Sequence, residues 1–355
     1  MCSVAVTGGS GFLGQHIVKH LQLNAPWVTE IRVFDLVPFV NSLDYTARLT
    51  VKSFTGGLGD VPALQEAFHN VNAVFHVASM IDTRFLPDEK LLREVNVQGT
   101  VNVITACEEA CVASLVYCSS ISTVQGYFSC LGGTETELYD VSPLMFRDYG
   151  GTKKEAEQLV LKANGTSLSN GKTLSTVSLI PPTMYGEGDK LIPKILQFAQ
   201  NNNGKFIRMG SGQNLEAYAY VGNVAWGFVC CLKTMRDDPN FGNERMFIMD
   251  DTPPQSIQSL SQPYLKSRGF ILTSFYIPVW LLLVVCFVVE SFCLLISPLK
   301  RISFDFSLSG ILFTRMKFYV RYEKASTLIN YSPLYSMEQA VEKSMIYYNN
   351  LKLKT

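Results

Sequence analysis

The sequence predicts an α/β fold: a doubly wound parallel sheet, then a smaller C-terminal capping region and a membrane-associated apolar helix. Three observations carry that expectation. Short apolar runs alternate with helical periodicity through residues 2–110, a glycine cluster joins the first run to the first helix, and residues 270–289 hold no charged side chain.

Ser3 to Thr7 reads as a buried strand, Gln15 to Leu23 as a helix, and Ile31 to Phe34 as a second strand ending in Asp35. Leu64 to Phe68 is helical, Ala73 to Val77 a strand, Leu91 to Ala110 a long helix and Leu115 to Cys118 a strand. Tyr149 to Lys162 is a helix rich in Lys, Glu and Ala, and Leu174 to Ile180 a later strand. Apolar strands separated by helices imply right-handed crossovers and a parallel sheet covered on both faces. Beyond Pro181-Pro182 and Gly186-Glu187-Gly188 the pattern loses its regularity. The expected division is a cofactor domain over 1–185, a substrate-binding region over 186–269, a membrane-associated segment over 270–298 and a C-terminal capping region over 299–355.

Composition narrows the function. Apolar residues make up 47% of the chain and charged residues 17%, against a usual charged share of about 25%. Thirty basic and thirty acidic residues cancel, and no basic stripe tracks a phosphate backbone, so nucleic acid is not an expected partner. Nine cysteines without a Cys-x-x-Cys pair read as reduced thiols in a reducing compartment. His16 and His20 share a helix face but lack the acidic companion of a zinc motif, so no metal site is expected.

Twenty helical residues over 270–289 would span about 30 Å, the depth of a bilayer core. Pro278 would kink such a helix, and Glu290 interrupts the apolar stretch that continues to Ser297. Lys266 and Arg268 precede the segment and Lys300 and Arg301 follow it, so flanking charge gives no orientation. Spanning the bilayer and lying in its interface both stay open.

Thr7-Gly8-Gly9-Ser10-Gly11-Phe12-Leu13-Gly14 joins the first strand to the first helix. Glycines at 8, 9, 11 and 14 allow a tight turn, close approach of backbone to a pyrophosphate and close packing of helix on strand. The helix start offers free N–H groups and the positive dipole end to the phosphates. Asp35 lies 21 residues after Gly14, where a carboxylate can bind both ribose hydroxyls and repel a 2′-phosphate. A Rossmann-like domain binding NAD(H) rather than NADP(H) is therefore expected.

Tyr149 and Lys153 stand four apart at the start of a helix and so share a face. A phenol with a pKa of about 10 is a poor base at neutral pH, and a neighbouring ammonium would lower it. The tyrosine could then take a hydroxyl proton while hydride leaves the same carbon. Ser119 and Ser120 follow the strand Leu115 to Cys118, at the sheet end where ligands of open α/β sheets bind.

These motifs together resemble the extended short-chain dehydrogenases. His76-x-Ala78 and Asn96-Val97-x-Gly99-Thr100 resemble that family's cofactor-side segments. Tyr185-Gly186-Glu187-Gly188, Tyr220-Val221-Gly222-Asn223-Val224-Ala225-Trp226 and Asp250-Asp251-Thr252-Pro253 resemble the 3β-hydroxysteroid dehydrogenases specifically, as does the late apolar segment, a membrane element in those enzymes. The resemblance implies NAD⁺-dependent oxidation of a steroid or sterol 3β-hydroxyl. Tyr149 would be the acid/base, Lys153 its tuner and Ser120 the group orienting the hydroxyl. Gly8, Gly9, Gly11, Phe12, Leu13, Gly14, Asp35, Ala78, Asn96, Tyr149 and Lys153 would contact the cofactor. It also implies attachment to the endoplasmic reticulum membrane, or a mitochondrial one, with lipid as a partner. A homodimer is left open, with no segment marking an interface.

Three departures bear on the chemistry. The carboxylate these enzymes carry after the third strand is Gly57 here, with Asp60 three residues on; an arginine before Pro181 is Ile180; and the tyrosine of the isomerising members aligns with Met246, though the paired acid is Asp250. Δ5–Δ4 isomerisation is therefore doubtful on this sequence. Two further readings stand beside the first. One is a dehydrogenase of 4α-carboxysterols, which Gly9 to His16 and Met209 to Leu215 resemble. The other is a non-catalytic NAD-binding protein on a dehydrogenase fold.

Overall fold

The computed structural model of the protein describes residues 2–297, 299, 300, 302, 304 and 307–353. Strand β1 (Cys2–Thr7) is followed by helix α1 (Phe12–Asn24), β2 (Val28–Asp35), β3 (Val51–Thr55), α2 (Val61–Phe68), β4 (Ala73–His76), α3 (Glu89–Arg93), a single π-helical turn (Glu94–Gln98), α4 (Gly99–Glu109) and β5 (Ser114–Cys118). The catalytic-helix candidate α5 spans Arg147–Lys162. The expected long helix Leu91 to Ala110 is thus continuous but opens into a π turn around Asn96.

The main sheet runs Glu244–Phe247, Thr173–Ile180, β5, β4, β1, β2, β3, all parallel, with the short strand Thr166–Ser167 antiparallel on Thr173–Ile180. Alternation of side chains separates two cores. Val4, Val6, Phe75 and Val116 face a core built on α1 and the helix Val221–Asp237, while Ala5, Val74, Leu115 and Tyr117 face one built on α2, α4 and α5. Period-two alternation in strands apolar on both sides produces this double layer. The order reverses between β1 and β4, and the crevice at that switch point is where such sheets bind ligands.

The chain divides differently from the sequence expectation. The last strand of the main sheet, Glu244–Phe247, comes from the 186–269 region rather than from 1–185. Lys317–Val320 lies between Leu215–Glu216 and Cys130–Gly133, so the C-terminal region completes a small sheet begun inside the cofactor domain. The segment from 270 is not one kinked helix either. Ile271–Ile277 is a strand on Lys205–Met209, Pro278 caps it off, and the helix is Val279–Ile296. Proline lacks the N–H that a helix interior needs, and here it sits where none is required. Arg301, one of the flanking cations, lies outside the described residues.

Asp250 ties the late elements together. Its carboxylate accepts the Tyr220 N–H at 2.8 Å, the Asn223 amide at 3.0 Å and the Thr252 N–H at 3.0 Å. The Asn223 side chain also donates to the Tyr335 carbonyl and accepts its N–H. The two late motifs are therefore halves of one buried polar staple.

A second staple joins α5 to the sheet edge. Arg245 meets Glu157 at 2.9 Å with side-chain exposures of 8% and 4%. Glu157 also accepts the Ser178 hydroxyl, and Arg245 donates to the Glu135 carbonyl. A third polar chain crosses the switch point. Thr100 donates to the Asn96 carbonyl at 2.6 Å, so it accepts from His76 Nε2–H at 3.0 Å. His76 Nδ1 then accepts from the Thr7 hydroxyl at 2.8 Å, and Thr7 accepts the Ala78 N–H. Burial pushes His76 down from its usual 6.5 to about 3, in keeping with a neutral ring.

Two consequences are measurable. Arg245→Leu should cost about 3–5 kcal/mol in chemical denaturation, because it strands the buried Glu157 carboxylate. For His76, the unfolded chain takes up a proton below 6.5 that the fold refuses until about 3, so the stability it contributes is full above 6.5 and drains as pH falls through that window. Between pH 6.5 and 5 the wild type should lose about 2 kcal/mol more than His76→Asn, in which all other titrating groups are shared.

Candidate active site

The glycine turn is shaped by contacts that leave no room for a side chain. Gly8 has φ +72°, and a Cβ there would stand 2.7 Å from the Ala78 nitrogen; one on Gly9 would meet Val33 at 2.6 Å, and one on Gly14 the Gly8 carbonyl oxygen at 2.1 Å. Gly11 precedes α1 with no side-chain cap, so the N–H groups of Phe12 and Leu13 at the helix start are free for an anion. Asp35 closes β2 beside this turn, where its carboxylate accepts the Ser10 N–H at 2.9 Å and the Leu36 N–H at 2.7 Å.

Ala78 lies against Gly8 across the switch point, as its place after β4 requires. The Asn96 amide accepts the Met80 N–H at 2.8 Å and donates to the Met80 carbonyl at 3.0 Å and Thr152 Oγ1 at 3.1 Å. These bonds tie the loop bearing Ala78 to the helix bearing Tyr149 through Asn96. Asp60 accepts the Ala63 N–H as the N-cap of α2, and so does not stand in for a carboxylate at Gly57.

Ser120 follows β5 and opens a short 3₁₀ turn, its hydroxyl accepting the Ser122 N–H at 3.2 Å. Tyr149 stands in the first turn of α5, a residue 6% exposed, with the Ser120 hydroxyl near enough to lower its phenol. Lys153, one turn further, donates to the Cys118 carbonyl at 2.6 Å and sits 4.3 Å above the Tyr117 ring. The nearest partners of the Lys153 ammonium are thus a strand carbonyl and a ring face. Burial drives the Tyr149 phenol above its ordinary range and the Ser120 hydroxyl pulls it back. One donor of the ammonium goes to the strand carbonyl, and burial lowers Lys153 itself to about 8.

Tyr117, which the sequence did not single out, and Ser119, which it placed after β5, carry unmet polar atoms. Among the described residues, Tyr117 Oη and Ser119 Oγ are buried without a hydrogen-bond partner. Each such group costs roughly 1–3 kcal/mol unless something supplies the missing bond. Ser119 directly follows the ligand end of β5, whereas the Tyr117 ring faces the core on α2, α4 and α5. Glu157 was also missed, although its position four residues after Lys153 on the same helix face was a usable signal.

Gly186-Glu187-Gly188 borders the glycine turn from the opposite side. A Cβ on Gly188 would meet Phe12 at 3.3 Å, and His16 Nε2–H donates to the Glu187 carbonyl at 2.8 Å. Met246 and Asp250, the positions aligned with isomerising residues, do not join the site as chemistry. Met246 is fully buried in the core, and Asp250 is the staple acceptor described above.

Solved structures of the same shape include a dTDP-glucose 4,6-dehydratase from Bacillus anthracis in complex with NAD. It has 17% identity and a TM-score of 0.68, with 98% of this chain and 97% of that one covered. A UDP-glucose 4-epimerase from Thermotoga maritima with UDP-glucose has 18% identity and a TM-score of 0.69, with 98% of both chains covered. At that identity the likeness establishes the fold. The sequence profile of one family matches residues 5–279, from β1 to the start of the apolar helix. With that match over most of its length, the chain belongs to the 3-beta hydroxysteroid dehydrogenase/isomerase family.

Proposed function

We propose that this protein oxidises the 3β-hydroxyl of a steroid or sterol to the ketone with NAD⁺, while attached to a membrane through Val279–Ile296. The broader class is an NAD-dependent oxidoreductase of its family. The observation that supports the specific reading is placement: Ser120 follows β5 at the ligand end of the sheet, and Tyr149 stands in the first turn of α5 with Lys153 one helical turn on.

Phe12 and Leu13 at the start of α1 would hold the pyrophosphate and Asp35 the adenine-side ribose. Bound NAD⁺ supplies the hydride acceptor. In the proposed step Tyr149 Oη takes the proton of the substrate hydroxyl, and Ser120 Oγ holds the same oxygen in line. Because burial raises the phenol, alcohol oxidation gains as pH rises, and ketone reduction, which uses the protonated phenol, gains as pH falls. Isomerisation by Met246 and Asp250 is not part of the reading, since one has no exchangeable proton and the other is committed to three N–H donors. The membrane part rests on an 18-residue helix of mean hydropathy 2.8, of which 17% is buried.

Detergent-purified protein with NAD⁺ and a 3β-hydroxy-Δ5 steroid should form NADH without the conjugated 3-keto-Δ4 product. A 4α-carboxy-3β-hydroxysterol supplied separately distinguishes the carboxysterol dehydrogenases. Tyr149→Phe should lower kcat by about 10²–10⁴-fold with NAD⁺ affinity retained, and unchanged turnover would remove the acid/base assignment. Gly14→Val should abolish NAD⁺ binding measured by calorimetry, because the side chain would overlap the Gly8 carbonyl.

A further inference from the structure

We propose that the helix Val279–Ile296 lies in the plane of one leaflet of a lipid bilayer instead of crossing it. The inference rests on the membrane attachment proposed above and settles its geometry.

A single crossing would put the chain before Val279 and the chain after Ile296 on opposite sides of the membrane. In this fold those two parts are one body. Lys317–Val320 is the central strand between Cys130–Gly133 and Leu215–Glu216. The Tyr331 hydroxyl donates to the Met249 carbonyl at 2.7 Å, Asn223 holds Tyr335 through both its amide atoms, and Arg268 donates to the Leu351 carbonyl at 2.6 Å. Among the described residues this is the one helix long and apolar enough to cross, so no second crossing brings the chain back.

The helix is also held at both ends. Its N-terminal end continues from the strand Ile271–Ile277, which is paired to Lys205–Met209. Towards its C-terminal end, Glu290 accepts the Leu308 N–H at 2.7 Å, at the start of the short helix Leu308–Phe313 that Ser307 caps. That short helix rests on the catalytic body. Ser309 Oγ is 3.2 Å from the Tyr127 hydroxyl, and the Phe313 ring is 6.0 Å from Phe146, which precedes α5. A helix fixed in this way at two levels has no free length to tilt across a core of about 30 Å.

Its surface fits the same placement. Cys286, Glu290 and Cys293, spaced four and three apart, form the one buried stripe. Trp280, Phe287 and Phe292 are 65%, 62% and 60% exposed on the remaining surface. An interfacial helix normally turns its polar face to water; here the stripe with the only charge is turned to the protein, leaving the apolar surface for acyl chains. Tyr276 and Trp280 at the entry to the helix are side chains that favour the headgroup level. The leaflet then lies beside the short helix that packs on Phe146, within reach of the Tyr149 helix.

The test uses full-length protein with an epitope tag at each terminus, synthesised in the presence of sealed microsomal vesicles, floated, and treated with protease. The inference expects the protein to float and both tags to share one fate. With Trp27, Trp226 and Trp280 replaced by Phe and Phe287→Trp placing the single tryptophan at mid-helix, it also expects the fluorescence in phosphatidylcholine vesicles to be quenched several-fold more by bromines near the headgroups than by bromines near the chain ends. Floated protein with tags of opposite fate, or stronger quenching from the chain ends, would overturn the in-plane placement and leave membrane attachment standing. Protein that fails to float would overturn the attachment itself.

Discussion

The close approach of backbone to backbone at the end of β1 is the constraint on which the rest depends. Gly8, Gly9 and Gly14 let the chain turn within van der Waals distance of Ala78, Val33 and its own preceding carbonyl. Any Cβ there would push α1 away from the sheet or close the crevice at the switch point. Because α1 starts uncapped, the same turn leaves N–H groups unmet by protein. Packing at this point and affinity for a phosphate follow from one absence of side chains. The Thr7–His76–Thr100 chain then holds the facing loop at the matching height, using a neutral histidine as a relay of fixed direction.

Buried charge governs the catalytic helix. Lys153 loses solvent and is compensated by the Cys118 carbonyl and the Tyr117 ring face. Glu157, one turn on, is paired with Arg245, which reaches it from the sheet edge. These contacts fix the rotation of α5 and so the direction in which Tyr149 meets Ser120. Breaking such a pair leaves an uncompensated ion, which makes the arrangement specific even where its net contribution to stability is small.

The C-terminal half shows polar staples replacing regular pattern. Asp250, Asn223 and Tyr335 come from three distant segments and satisfy one another. The same logic extends to the apolar helix, where Glu290 finds its partner at the start of the next helix. A carboxylate in an otherwise uncharged stretch is thereby a tie to the body of the protein and not a break in the apolar surface.

The sequence by itself determined the sheet-and-helix order of the first half, the glycine turn, Asp35 and the Tyr149–Lys153 spacing. These are local patterns, set by side-chain period and by the lack of Cβ atoms, and they survive without knowledge of distant contacts. It did not determine the strand Glu244–Phe247, the pairing of Ile271–Ile277, or the small sheet closed by Lys317–Val320, because short strands joined over long separations carry no period of their own. It read residues 270–289 as one helix since apolar composition alone does not separate a strand from a helix. Only tertiary structure decided that Asn96 ties the Met80 loop to Thr152 and that Lys153 faces Cys118. It likewise decided that Asp250 is a staple. A side chain's role depends on which polar groups the fold brings within about 3 Å, and those partners lie far away in the chain.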